Sequence, residues 1–383
     1  MREPIPLSVP NICGNEVVYA EQAIGSGWVS TAGSFVSDFE AAVSHYCNAR
    51  SAVACQSGTA ALHLGLLAAG VGRGQAVFVP TLTFIAAVNP VRYVDAMPIF
   101  IDCDDTLCMD TEKLASYCEE ECVFDGDRLT HIATGAQVTA VVVVHVFGNL
   151  ADMDRLVGLA EKYHLSVIED ATEALGSRWE SGRFAGRFAG TVGTVGAFSF
   201  NGNKIITTGG GGMLVSNDEG VAARARYLSQ QAKDDSLYFI HNEVGFNYRM
   251  TNLQAAVGLA QMEKLDLFIR TKERNYQRYQ QDGVELLPFR EGIRPNYWFY
   301  SYLTPYRDEL MEYLSVTHAI QTRPIWHLIH SLRPYATAPH GVIDCAPNYV
   351  AQVVNLPCST DLSEGDVDAV AAAVLAFSED GSV

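Results

Sequence analysis

The chain has 383 residues, 48% of them hydrophobic and only 18% charged, a composition that excludes a disordered polymer and fits a folded globular protein. Its 26 basic and 44 acidic residues give a net charge of −18, which argues against a nucleic-acid partner, since that would call for a basic face. The nine cysteines are odd in number and lie in apolar contexts such as Ala54-Cys55-Gln56, so they read as reduced thiols rather than a disulfide framework.

The N-terminal segment Met1-Arg-Glu-Pro-Ile-Pro-Leu-Ser8 has no charged-then-apolar leader pattern. From Ser51 onward, strand-like and helix-like stretches alternate. Ser51 to Cys55 is a short apolar strand, and Gly58 to Ala69 is a helix with Leu62, Leu66 and Ala69 on one face. Ala76 to Pro80 is a strand, Thr83 to Val94 a helix that Pro90 disturbs, and Met97 to Ile101 a strand again. Cys103, Cys108, Cys118 and Cys122 follow, at spacings that match no paired zinc knuckle, and no metal is expected. Val138 to Val146 is nearly continuous valine, as expected of a strand buried on both faces of a parallel sheet. The longest apolar run, Thr139 to Phe147, is too short to span a bilayer and contains His145, so the chain reads as cytoplasmic with no membrane partner. Ala151 to Tyr163 is a helix, and Ser166 to Asp170, Val195 to Phe200 and Met213 to Ser216 are strands. This order predicts an α/β domain with a mostly parallel sheet. From about Thr251 a long helical pattern leads into a smaller α+β region that ends in an amphipathic helix, Ser363 to Phe377.

Three strand-to-helix turns fall where such folds bind ligands. Gln56-Ser57-Gly58-Thr59 puts free N–H groups and hydroxyls at a helix start, which is either an anion site or a simple cap. Ile168-Glu169-Asp170-Ala-Thr172-Glu173 ends a buried strand on a carboxylate, which either caps the next turn or faces a cationic ring nitrogen. Phe198-Ser199-Phe-Asn-Gly-Asn-Lys204 precedes four consecutive glycines, Gly209 to Gly212. The lysine comes before the glycines, so this is not a Walker loop, and the glycine spacing fails the dinucleotide fingerprint. A lysine among small polar residues there is a nucleophilic amine able to condense with a carbonyl. Together the three turns read as a phosphate cradle, a ring-nitrogen carboxylate and a carbonyl-binding lysine, the parts of a pyridoxal 5'-phosphate (PLP) site.

These segments, with Pro80-Thr-Leu-Thr-Phe84 and Gly245-Phe-Asn-Tyr-Arg-Met-Thr-Asn252, resemble the DegT/DnrJ/EryC1/StrS sugar aminotransferases from about Pro10 to Leu375. The run from Asn201 to Gly212, with Gln231-Ala-Lys-Asp-Asp and Ile240-His-Asn-Glu, resembles the legionaminic-acid-type branch. The resemblance implies PLP fold type I (aspartate-aminotransferase-like): a large domain, 1–255, with a mostly parallel seven-stranded sheet, and a small C-terminal α+β domain, 256–383. It implies a homodimer with shared active sites. Its substrates would be glutamate and a nucleotide-linked 4-keto-6-deoxy sugar, UDP-linked by expectation, with pyridoxamine phosphate as the aminated cofactor. Lys204 and Asp170 are implied as catalytic. Gly58, Thr59 and Ser199 would hold the phosphate, Phe84 and Thr172 the two ring faces, and Asn247 the phosphate of the partner's cofactor. Glu173 stands where the family usually has glutamine, near the phenolic oxygen, or else at a helix end facing water. Arg249, Arg323 and His327 are candidates for substrate binding; Tyr297, Trp298 and Tyr300 are expected in the core or an interface. Rival readings are a 3-keto sugar aminotransferase, a sugar dehydratase (which would carry histidine in place of Lys204), a cysteine desulfurase and a non-catalytic PLP-fold regulator.

Overall fold

The computed structural model describes residues 4–380; residues 1–3, the start of the segment read above for a leader, and 381–383 lie outside the described part. The strands in chain order are β1 (Ser51–Cys55), β2 (Ala76–Pro80), β3 (Met97–Ile101), β4 (Cys122–Phe124), β5 (Leu129–His131), β6 (Gln137–Val144) and β7 (Ser166–Asp170). They continue as β8 (Arg178–Trp179), β9 (Val195–Ser199), β10 (Gly212–Ser216), β11 (Ile293–Arg294), β12 (Tyr300–Leu303), β13 (Arg323–Pro324) and β14 (Val353–Leu356).

The main sheet runs β1-β10-β9-β7-β6-β2-β3, with β5 joined to β6 and β4 to β5. The seven strands expected are therefore its continuous path, and the full sheet has nine. The extra pair is a short antiparallel addition at the start of β6, where Leu129 pairs with Val138. From β9 to β3 the neighbours are parallel, whereas β10 runs antiparallel to both β1 and β9. β6 shows why valine fills it. Val141 and Val143 enter one core with Phe78 and Ile99, and Ala140 and Val142 enter the other with Val77, Val79 and Ile168. Successive side chains point to opposite faces, so a strand buried on both sides must be apolar throughout. Each fully buried valine contributes about 1.5–3 kcal/mol.

The parallel strands all point their carboxyl ends to one edge, and the ligand-facing turns follow them there. The helix expected over 83–94 is broken into a single turn, Ile85–Ala87, and a short helix, Asn89–Tyr93. Pro90 has no N–H to donate and sits in the first turn of the second piece, where none is needed. The long pattern after Thr251 is likewise two helices, Asn252–Met262 and Leu265–Gln281. Thr251 starts the first through a capping box with Gln254, each side chain satisfying the other's backbone.

β12, β14 and β13 form a second, antiparallel sheet; the helix Arg307–His318 packs against β14, and the helix Glu364–Asp380 packs against Arg307–His318 and Leu265–Gln281. Lys272 is buried beneath this sheet, its ammonium donating to the Trp298 carbonyl at 3.1 Å and to the Cys358 carbonyl. Burial holds its pKa below the usual lysine value. All nine cysteines are free thiols, and burial raises those of Cys47, Cys55 and Cys108 to about 12. Among the described residues no cluster of three His, Cys, Asp or Glu side chains is placed to hold a metal, and no helix is long and apolar enough to cross a membrane.

Candidate active site

A cavity of about 610 Å³ opens at the carboxyl edge of the main sheet. Gly58, Thr59, Phe84, Asp170, Thr172, Glu173, Ser199, Lys204 and Arg323 all line it.

One end is the start of the helix Gly58–Ala68. Ser57 caps it by accepting the Ala60 N–H at 3.1 Å. The N–H groups of Gly58 and Thr59 meet no protein acceptor among the described residues, and both residues face the cavity. The cap and the anion site thus coexist: the hydroxyl satisfies one donor, and two others remain for a ligand at the positive end of the helix. A Cβ on Gly58 would come within 2.9 Å of both Ser199 Cβ and Thr172 Cγ2, so only glycine lets these three approach. Gly212 plays the same part behind it, where a Cβ would meet the Ser57 backbone at 2.3 Å.

Asp170 ends β7 and is 4% exposed. Its Oδ1 accepts the Thr172 N–H at 3.0 Å. Burial raises its pKa above the ordinary carboxylate value, and the Thr172 bonds and the Lys204 charge only partly offset this. No cation pairs directly with this carboxylate among the described residues, and a protonated ring nitrogen would supply one.

The layer behind Asp170 is fixed by its neighbour. Glu169, fully buried, accepts His145 Nε2 at 2.9 Å and the backbone N–H groups of Gly190, Val192 and Gly193. His145 Nδ1 accepts the Ala151 N–H at 3.2 Å, so the ring proton sits on Nε2 and points at Glu169. The His145 N–H donates to the Asp170 carbonyl at 3.1 Å, tying this network to the site.

Glu173 does not face water. It is 4% exposed, with Oε2 accepting the Phe147 N–H at 3.0 Å and Oε1 lying 3.4 Å from Lys204 Nζ. Phe147 sits at φ 57°, a left-handed backbone that aims its N–H into the cavity wall. Burial raises the Glu173 pKa, with Lys204 opposing it.

Lys204 lies on a turn closed by its own N–H to the Asn201 carbonyl at 3.0 Å. Its Nζ is 4.2 Å from the centre of the Trp298 ring. Trp298 is buried and lines the cavity, which adds a site role to its expected core role. Its indole N–H donates to the Asn203 carbonyl at 2.8 Å, beside the lysine. Asn296, two residues earlier, is fully buried and donates to the carbonyls of Glu173 at 2.9 Å and Leu175 at 3.0 Å. Its Oδ1 accepts the Trp298 N–H at 3.0 Å. Sequence reading missed this pair; the aromatic run Tyr297 to Tyr300 was the signal available.

Three candidates stand apart from the cavity. Arg249 is held by Glu40, whose carboxylate also takes Arg226 at 2.9 Å and the Ala54 N–H at 2.7 Å, so its charge is used inside the fold. His327 is exposed; its neighbour Trp326 faces the cavity instead, packing on Phe147 at 4.9 Å between ring centres. Asn247 is exposed and accepts from Gln231 Nε2 at 3.2 Å.

The arrangement suits a flat group with a phosphate at the Gly58–Thr59 end, a ring nitrogen at Asp170 and a carbonyl at Lys204. Phe84, half exposed, and Thr172 border the space between.

Comparison with known proteins points to one family. The model of the DegT/DnrJ/EryC1/StrS aminotransferase family matches residues 10–375. The GDP-perosamine synthase of Caulobacter vibrioides is 36% identical over 97% of this chain and 97% of its own length. The GDP-perosamine synthase of Escherichia coli O157:H7 is 34% identical over 98% and 99%. The crystal structure of a DegT DnrJ EryC1 StrS aminotransferase from Brucella abortus superposes with a TM-score of 0.87 at 27% identity, covering 95% of each chain.

Proposed function

Because this chain belongs to the DegT/DnrJ/EryC1/StrS aminotransferase family, we propose that it moves the amino group of glutamate to the 4-keto carbon of a nucleotide-linked 4-keto-6-deoxy sugar. It is a PLP-dependent sugar aminotransferase of fold type I. The observation that carries it is the meeting of Lys204, Asp170 and the two free N–H groups of Gly58 and Thr59 on one cavity.

PLP, when bound, supplies a carbonyl that accepts amines and a ring that spreads the charge left when a proton leaves the adjacent carbon. Lys204 supplies the amine for that carbonyl and then moves a proton at the substrate carbon. Asp170 keeps the proton on the ring nitrogen. Gly58, Thr59 and Ser199 bind the phosphate, and Phe84 and Thr172 hold the ring faces. Glu173 and the Trp298 face keep the Lys204 amine at its place beside the cavity. Asn247, outside the cavity, is assigned to the cofactor phosphate of a second copy in a homodimer.

The relatives named GDP-perosamine synthase support a GDP-linked substrate over the UDP-linked one expected from sequence. The test is purified, PLP-loaded protein with glutamate and a panel of GDP-, UDP- and dTDP-linked 4-keto and 3-keto sugars. Glutamate alone should convert the cofactor spectrum to its aminated form, and a 4-keto sugar should restore it with release of an amino sugar. Turnover of 3-keto sugars alone would overturn the carbon-4 assignment.

A further inference from the structure

Four charged side chains line the cavity: Asp170, Glu173, Lys204 and Arg323. Lys204 is taken by Glu173. Arg323 has no carboxylate partner among the described residues; its Nη1 donates to the Thr322 carbonyl at 3.0 Å. It also borders a smaller cavity with Asp308 and Glu312, but Asp308 is taken by Arg307 at 2.7 Å. In a chain with a net charge of −18, an exposed arginine left without a counter-ion on the wall of the active-site cavity stands out. Its backbone is held in β13, where Arg323 pairs with Asn355 of β14, and both line the cavity.

We infer that Arg323 is the shared anion receptor of both half-reactions, taking the distal carboxylate of the amino donor and then the diphosphate of the nucleotide sugar. The inference rests on the aminotransferase reading above. A transaminase brings two substrates in turn to one amine, so both must place their reacting carbon beside Lys204. In glutamate the distal carboxyl carbon is three bonds from the carbon that bears the amine. In a 4-keto sugar the carbon that bears the phosphate lies directly across the ring from the keto carbon. Both substrates therefore present an anion at a similar reach from the reacting atom. One leaves before the other arrives, so a single guanidinium serves both, and its fork matches carboxylate and phosphate oxygens alike.

The test uses PLP-loaded protein and calorimetric dissociation constants for glutarate, which lacks the amine and cannot react, and for GDP and UDP. Wild-type protein should bind glutarate and nucleoside diphosphate competitively. Arg323→Gln should weaken both by about 10- to 100-fold, the loss of one charge-assisted contact. Arg323→Lys should fall between, with the cofactor spectrum and Tm of both variants unchanged. Simultaneous binding of the two ligands, or an Arg323→Gln protein that loses only one of them, overturns the inference while leaving the sugar aminotransferase reading intact. Wild-type protein that binds neither nucleotide removes the GDP- and UDP-linked readings and overturns this inference with them.

Discussion

Glu173 Oε1 lies 3.4 Å from Lys204 Nζ, so the carboxylate is the amine's counter-ion inside the cavity wall. The pair is nearly closed to solvent, with side chains 4% and 13% exposed. Burial raises the Glu173 pKa from its ordinary value of 4.5, against the opposing pull of Lys204. An acid raised by folding binds its proton more tightly folded than unfolded. Its stabilising effect is complete below about pH 4 and is lost as pH rises through the folded value. Glu173→Gln removes that ionisation. In cofactor-free protein, the Tm of the variant relative to wild type should therefore climb as pH rises from about 4 to 8. Parallel curves for the two proteins would show that Glu173 does not titrate in this window.

Lys204→Ala should bind PLP without covalent attachment, so borohydride reduction should fix cofactor to wild-type protein and not to the variant. Turnover should fall by at least about a hundredfold, the usual weight of a positioned proton-transfer group. Wild-type turnover by the variant would remove Lys204 from the chemistry.

Gly58→Ala places a methyl group within 2.9 Å of Ser199 Cβ and Thr172 Cγ2. Overpacking of this kind costs about 1–3 kcal/mol, and here it also crowds the end of the cavity proposed to take the phosphate. Equilibrium dialysis should show weaker binding of PLP by the variant, with pyridoxal, which lacks the phosphate, affected less. Equal losses for the two would place the phosphate elsewhere.

The main sheet was legible because its signals are local. β1, β2, β3 and β7 match the segments expected from their apolar runs, residue for residue. Lys204, Asp170 and Gly58 were legible because each sits at a strand end or turn marked by its neighbours. Glu173 was harder: a carboxylate after a turn looks solvated until the fold brings Phe147 and Lys204 against it. Arg249 adjoined a family motif, yet its charge goes to Glu40, which lies far off in sequence. Trp298 and Asn296 act across a long separation in the chain, and no local spacing reports such contacts.

Glu40 meets both Arg226 and Arg249 and accepts the Ala54 N–H, with its side chain 10% exposed. Glu40→Ala leaves two cations and a strand N–H without their acceptor. Denaturant unfolding should show a loss of about 3 kcal/mol or more, as when one partner of a buried ion pair is removed. A loss below about 1 kcal/mol would mean water replaces the carboxylate freely.

The contacts of Asn296 and Trp298 bear on how such enzymes can recombine. These two side chains hold the backbone at Glu173 and Leu175, and at Asn203 next to Lys204. A hybrid gene that joined the first two-thirds of this chain, which carries Lys204, to the last third of a relative would fold each piece and still leave the amine out of register. For Lys204 to be inherited in working order, the segment around residues 296–298 has to travel with it.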